Sequence, residues 1–219
     1  MDDILNVYNL IALVLAYLIG SIPSAVWIGH LFFGVDVREH GSKNAGATNT
    51  FRVLGKKAGF PVLLMDIIKG WAAVTVLSLF CEFEYGSNQL VNFQLAVGMA
   101  AVFGHIYPIY AKFKGGKGVA TLLGIIFAIH PEAAGIAFGV FLITFLISKY
   151  VSLGAICAAV VSPFIIIFIF KTKDTPSLIY FSIVMSLLVI YTHRANIDRL
   201  LKKEENKMKV SFNLRRNNK

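Results

Sequence analysis

Residues Val151–Phe170 read VSLGAICAAVVSPFIIIFIF, a run without one charged side chain. About 20 apolar residues are what an α-helix needs to cross the hydrocarbon core of a bilayer. Lipid offers no water to backbone N–H and C=O groups, so a spanning segment satisfies them internally as a helix, or pairs them in a closed barrel. The chain lacks the alternating ~10-residue pattern of an outer-membrane barrel. Working outward, six further apolar stretches stand out. They are Tyr8–Phe33, with Gly20 and Pro23 marking a kink, Ala58–Phe80, Leu90–Tyr110, a short one from Val119 to His130-Pro131, Glu132–Ile147 and Pro176–Thr192. The stretches starting at Val119 and Glu132 together suit two short or tilted helices better than one. Composition agrees: 57% of the 219 residues are hydrophobic, 15% are charged, and the mean hydropathy is +0.70. The reading is an all-α integral membrane protein with about seven transmembrane helices.

Charge orients those helices. Residues 34–57 carry Arg38, Lys43, Arg52, Lys56 and Lys57. The third loop carries Lys112, Lys114 and Lys117, the fifth carries Lys149, and nine Lys and Arg follow Thr192. The other side shows only Lys171 and Lys173. Because basic loops stay in the cytoplasm, the N-terminus is expected outside and the C-terminus inside. The net charge of +9 is therefore a membrane-topology signal, and nucleic acid is not an expected partner. Cys81 and Cys157 have neither metal-ligand spacing nor a disulfide framework. The first apolar stretch has an acidic flank, Asp2-Asp3, and no evident small-x-small site, so it is not expected to be a cleaved signal. With no convincing internal repeat, residues 1–206 are expected to form one polytopic membrane domain, followed by a basic, mobile tail over 207–219.

Two loops on the expected cytoplasmic side are rich in glycine and lysine. In Glu39-His40-Gly41-Ser42-Lys43-Asn44-Ala45-Gly46-Ala47-Thr48-Asn49, the side chains of Ser42, Thr48 and Asn49 can bond an oxyanion, and Arg52 follows with a fork suited to phosphate. A solvated turn before a helix is the competing reading. In Lys112-Phe113-Lys114-Gly115-Gly116-Lys117-Gly118, Gly116-Lys117 imitates a Walker A ending. That motif needs a glycine where Ala111 stands and Ser or Thr where Gly118 stands, so a nucleotide loop is rejected. What remains is a basic turn feeding the N-terminus of the helix at Val119, either an anion site or a surface for acidic lipids. Asp66 and Lys69 have the i, i+3 spacing of a structural ion pair. His105 lies near the end of the third span, placed to orient the second loop. His193, Asn196 and Arg199 can share a helix face. The His193-x4-Asp198 spacing also occurs in a large class of glycerolipid acyltransferases. Five residues apart on one helix is a poor geometry for that pair, and the match is read as chance.

These segments resemble the bacterial acyl-phosphate:glycerol-3-phosphate acyltransferases, the PlsY family. The likeness runs over Gly20-Ser21-Ile22-Pro23, residues 36–59, Gly104-His105-Ile106-Tyr107-Pro108 with 113–121, and His193-Arg194-Ala195-Asn196-Ile197 through Lys207. Three motifs in one order are far more specific than any one alone. The resemblance implies transfer of a fatty acyl group from acyl phosphate to the 1-hydroxyl of glycerol 3-phosphate, giving lysophosphatidic acid and phosphate. It implies catalytic roles for Ser42, Arg52, Lys117, His193 and Asn196. It implies phosphate binding by Gly115, Gly116 and Gly118 and a structural role for Glu205; from their side chains, Thr48 and Asn49 are expected to bind substrate phosphate too. The expected partners are glycerol 3-phosphate, acyl phosphate and membrane lipid, in a bacterial inner membrane with the site facing the cytoplasm. No cofactor or metal is implied. The proton acceptor stays open between His193 and a donor phosphate oxygen. Asp198 and Lys203 depart from the family's habit of a basic residue and a glycine at those places. The alternative is a transporter of organic phosphate or lipid with the same cytoplasmic anion site.

Overall fold

The computed structural model describes residues 6–171 and 175–208, and all regular structure in them is helical. Ten α-helices follow one another: α1 Val7–Gly20, α2 Ser24–Phe33, α3 Ala47–Leu54, α4 Lys56–Ser78, α5 Asn88–Ile106, α6 Val119–Ile129, α7 Pro131–Ser148, α8 Val151–Phe164, α9 Pro176–Thr192 and α10 Arg194–Leu201. The first expected span is α1 and α2 together, interrupted where Pro23 can donate no hydrogen bond. The α8 span holds Pro163 and widens into a π-helical segment, Ile165–Phe170.

Five segments are long and apolar enough to cross a bilayer: Val7–Phe33, Lys56–Ser78, Asn88–Ala111, Pro131–Ser148 and Val151–Phe170. A sixth is made if α9 and α10, bent by 61°, count as one. The fourth expected span, α6, has only 11 residues, about 16 Å of helix against a ~30 Å hydrocarbon core. Large apolar side chains such as Leu31, Ile147, Phe168 and Leu187 point outward. On a water-exposed surface they would form an aggregating patch; on membrane spans they meet lipid.

Small residues hold the interior together. A methyl group at Gly20 would overlap the Ala101 carbonyl, and one at Gly104 would overlap that of Tyr17, so α1 and α5 touch backbone to backbone. Gly70 and Gly124 bring α4 and α6 together in the same way, against Thr121 O and Ile67 O. Helices in lipid gain no hydrophobic drive from one another, and close backbone approach is the usual substitute. This seat on α4 holds the half-length α6 in place.

Two differences from the sequence reading concern the basic side. Residues 47–54, expected within a loop, form the amphipathic α3, bounded by Gly46 before it and Gly55 after it at φ +78°. Lys207 and Met208, assigned above to a mobile tail, are docked. The Lys207 ammonium lies 5.5 Å over the Tyr150 ring, and Met208 N–H donates to Lys149 O at 2.9 Å. The remainder of that tail, 209–219, lies outside the described residues.

Candidate active site

At one end of the bundle, the first glycine loop is fixed by Asn49. Its side chain is buried; Oδ1 accepts from Ser42 N–H at 2.8 Å, and Nδ2 donates to Val37 O at 2.7 Å and His40 O at 3.1 Å. The close approach needs Gly41, at φ +60°, because a side chain there would overlap Asn49 Oδ1. Asn49 is therefore consumed in shaping the loop, and Ser42 and Arg52 remain exposed. Thr48 stands in the first turn of α3, where helix geometry leaves N–H groups without intrahelical acceptors.

Arg38 ties this loop to the second one. Its guanidinium binds both oxygens of Asp36, at 2.7–3.2 Å, and donates from Nη1 to Ala111 O at 2.9 Å. The hydrogen bond from Arg38 holds the Asp36 carboxyl down at about 2.

In the second loop, Gly115 N–H donates to Ile106 O at 3.2 Å and Gly116 N–H to His105 O at 3.1 Å. These bonds satisfy carbonyls at the C-terminus of α5, so the two N–H groups expected to face phosphate are turned inward. The chain then turns at Gly118, φ +83°, into the first turn of α6. Lys117 stands at that turn. Its ammonium is hydrogen-bonded to Asn196 Oδ1. Burial pushes the Lys117 ammonium down to about 8; the Arg199 and Arg52 charges push the same way and Glu205 opposes them. An influence of Arg52 on Lys117 means that α3 and the second loop share one electrostatic neighbourhood.

Glu205 organises the third segment. It accepts from Asn196 Nδ2 at 2.8 Å, Arg199 Nε at 2.7 Å and Ser152 Oγ at 3.1 Å. One carboxylate thus fixes Asn196, which in turn holds Lys117, and fastens the last described turn to the start of α8. His193, buried at the α9–α10 bend, places Nδ1 2.8 Å from Val189 O. A carbonyl only accepts, so that bond assigns the proton to Nδ1 and leaves Nε2 as the acceptor nitrogen of the neutral ring. Thr192 Oγ1 lies 3.5 Å from Lys117 O, another link between α9 and the loop. Sequence reasoning missed Ser152 and Thr121. Both look like ordinary small helix residues until the fold sets Ser152 against Glu205 and Thr121 against His105.

Lys117, Asn196 and Glu205 thus form one hydrogen-bonded chain. His193 joins it through the backbone, where Asn196 N–H donates to His193 O at 2.8 Å. Arg52 is near enough to act on Lys117, and Ser42 is on the loop tied to the second one through Arg38. Such a cationic, half-buried recess can hold phosphate groups and concentrate their charge where water is scarce. Among the described residues no group of three or more His, Cys, Asp or Glu side chains could hold a metal. A profile of the glycerol-3-phosphate acyltransferases matches residues 10–203. The chain belongs to that family. Family members named glycerol-3-phosphate acyltransferase include one from Fusobacterium nucleatum, 44% identical over 90% of this chain and 96% of its own. Another, from Chlorobaculum tepidum, is 44% identical over 90% of this chain and 94% of its own. The solved structure of PlsY, an integral membrane glycerol 3-phosphate acyltransferase, superposes in its glycerol 3-phosphate form with a TM-score of 0.81 at 40% identity, covering 92% of this chain and 96% of that one. Its lysophosphatidic acid form gives 0.77 at 39% identity, over 92% and 95%.

Proposed function

We propose that this protein transfers a fatty acyl group from acyl phosphate to the 1-hydroxyl of glycerol 3-phosphate, releasing lysophosphatidic acid and inorganic phosphate. The carrying observation is the Lys117–Asn196–Glu205 chain with the Arg52 charge beside it, in a family whose solved relative was obtained in a glycerol 3-phosphate form. Lys117 and Arg52 neutralise the phosphates. Ser42, Thr48, Asn196 and Gly118 with the first turn of α6 orient them. Gly115, Gly116 and Asn49 shape the two loops, and Glu205 braces the third segment.

The acyl carbonyl carbon gains a bond to the glycerol oxygen and loses its bond to the phosphate oxygen, so the donor phosphate departs with the bonding pair. Acyl phosphate already carries a good leaving group, and catalysis reduces to positioning and charge stabilisation. The hydroxyl proton passes to the departing phosphate. His193 Nε2 accepts a hydrogen bond from the glycerol and holds it in place. The acyl chain lies in the apolar cleft between α6, α8 and α9 lined by Leu122, Ile126, Ala159, Phe181 and Met185. The reading includes seven crossings of a bacterial inner membrane, with the N-terminus outside and this site in the cytoplasm. Residues 1–206 act as one domain.

Purified protein given labelled glycerol 3-phosphate and palmitoyl phosphate is expected to move label into a lipid product. Label accumulating unchanged inside vesicles, with none in lipid, would replace this reading by transport.

A further inference from the structure

Beneath the phosphate loop runs a buried polar chain that the chemistry above does not use. Its members come from the α1–α2 break and from α4, α5 and α6. Lys69 lies 2.8 Å from the Asp66 carboxylate and donates to Ile22 O at 2.8 Å, a carbonyl in the segment between α1 and α2. Asp66 Oδ1 accepts from Ser24 Oγ at 3.0 Å and stands 3.6 Å from His105 Nδ1. His105 Nδ1 in turn is 3.0 Å from Thr121 Oγ1. Asp66, Lys69, His105 and Thr121 expose at most 6% of their surface. Desolvating an ion pair inside a membrane bundle is expensive, and apolar residues of the same volume would pack there at no such cost.

The chain ends on the loop. The main-chain carbonyl of His105 accepts from Gly116 N–H, and its imidazole lies so close that a side chain on Gly116 would overlap Nε2. Thr121 sits in the first turns of α6, four residues after Lys117. The polar chain therefore grips the loop from both sides of Lys117, at Gly116 through His105 and at the start of α6 through Thr121. None of the four side chains is on the open face of the loop.

We propose that Asp66, Lys69, His105 and Thr121 form a positioning network that sets the backbone around Lys117 and so aims its ammonium at the substrate phosphate. The inference rests on the reading of Lys117 as a phosphate-binding group. The network joins the break in the first span, through Lys69 and Ser24, to the loop that carries the cation.

The test compares Thr121→Val, which removes the hydroxyl and keeps the branched shape, with Thr121→Ser, which keeps the hydroxyl. His105→Gln is the second disruption, should Thr121→Val fold poorly. All are purified in detergent and assayed with glycerol 3-phosphate and palmitoyl phosphate, alongside a thermal midpoint for each. Thr121→Val and His105→Gln are expected to lower kcat/KM on the order of 10- to 100-fold, chiefly by raising KM for glycerol 3-phosphate, with Thr121→Ser near wild type. Thr121→Val or His105→Gln within about twofold of wild type would overturn the proposal, as would Thr121→Ser failing as badly as Thr121→Val. A wild-type protein that puts no label into lipid would instead sink the acyl-transfer reading.

Discussion

In the proposed reaction most of the chemistry turns on Lys117, and its environment gives it a pH signature. Burial, with Arg52 and Arg199 nearby, lowers it from 10.5 to about 8. Its positive charge is therefore largely present at neutral pH and is lost as pH rises through about 8. Glycerol 3-phosphate stays a dianion over that range, so its KM is expected to climb above pH 8. In Lys117→Arg that climb is expected to vanish whatever the absolute rate, because guanidinium stays charged. A KM–pH series for both proteins checks this. His193 separates the two proton routes. A general base is worth roughly 10²–10⁴ in rate. If His193 only orients the glycerol, His193→Gln, with an amide that can still accept, is expected to fall by less than the lower end of that range, and single-turnover rates measure it. At this scale the residue types were legible in the chain: Lys117 falls in the second motif, Asn196 and Glu205 fall in the third, and the fold joins them by hydrogen bonds. What could not be read was direction. Whether Asn49 faces a ligand or its own backbone depends on the path of residues 37–42, and whether the Gly115 and Gly116 N–H groups do depends on how the α5 carbonyls end; no local pattern encodes either.

Among the expected spans, α6 is the shortest and is seated backbone to backbone on α4. It has 11 residues where α7 has 18, a difference of about 10 Å of helix rise. Both helices meet at the His130-Pro131 turn, and the shorter one opens just after Lys117. Hydropathy foretold a short fourth helix; it could not foretell that Gly70 and Gly124 would bury it against α4. Gly124→Ala forces a methyl into the Ile67 carbonyl and is expected to destabilise the protein by about 1–3 kcal/mol, lowering activity as α6 shifts. Gly139→Ala on α7 meets nothing within 4 Å and is expected to be neutral or to stabilise by about 0.5–1 kcal/mol, through the helix preference of alanine. Thermal unfolding of the two variants in one detergent decides between them. The amphipathic α3 was missed for a related reason. Eight residues give too short a stretch for periodicity to stand out, and its ends are set by glycines that also read as loop.

Over the whole molecule, the basic motifs gather at one end because helix direction alternates. The turns before α4, between α5 and α6 and between α7 and α8, together with the bend after α9, close on that end, as the Arg38–Ala111 and Met208–Lys149 bonds attest. The acidic residues Glu82 and Glu84 lie between α4 and α5, at the opposite turn. A cationic recess on one side is also what a positive-inside topology gives, so the site and the orientation stand on the same charges. The orientation can be tested apart from the chemistry. With Cys81 and Cys157 replaced by serine, single cysteines at Lys43 and Lys203 are expected to react with a membrane-impermeant thiol reagent only after intact cells are opened. A cysteine at Glu84 is expected to react before opening. Labelling of Lys43→Cys in intact cells would turn this end of the bundle away from the cytoplasm and overturn the proposed orientation.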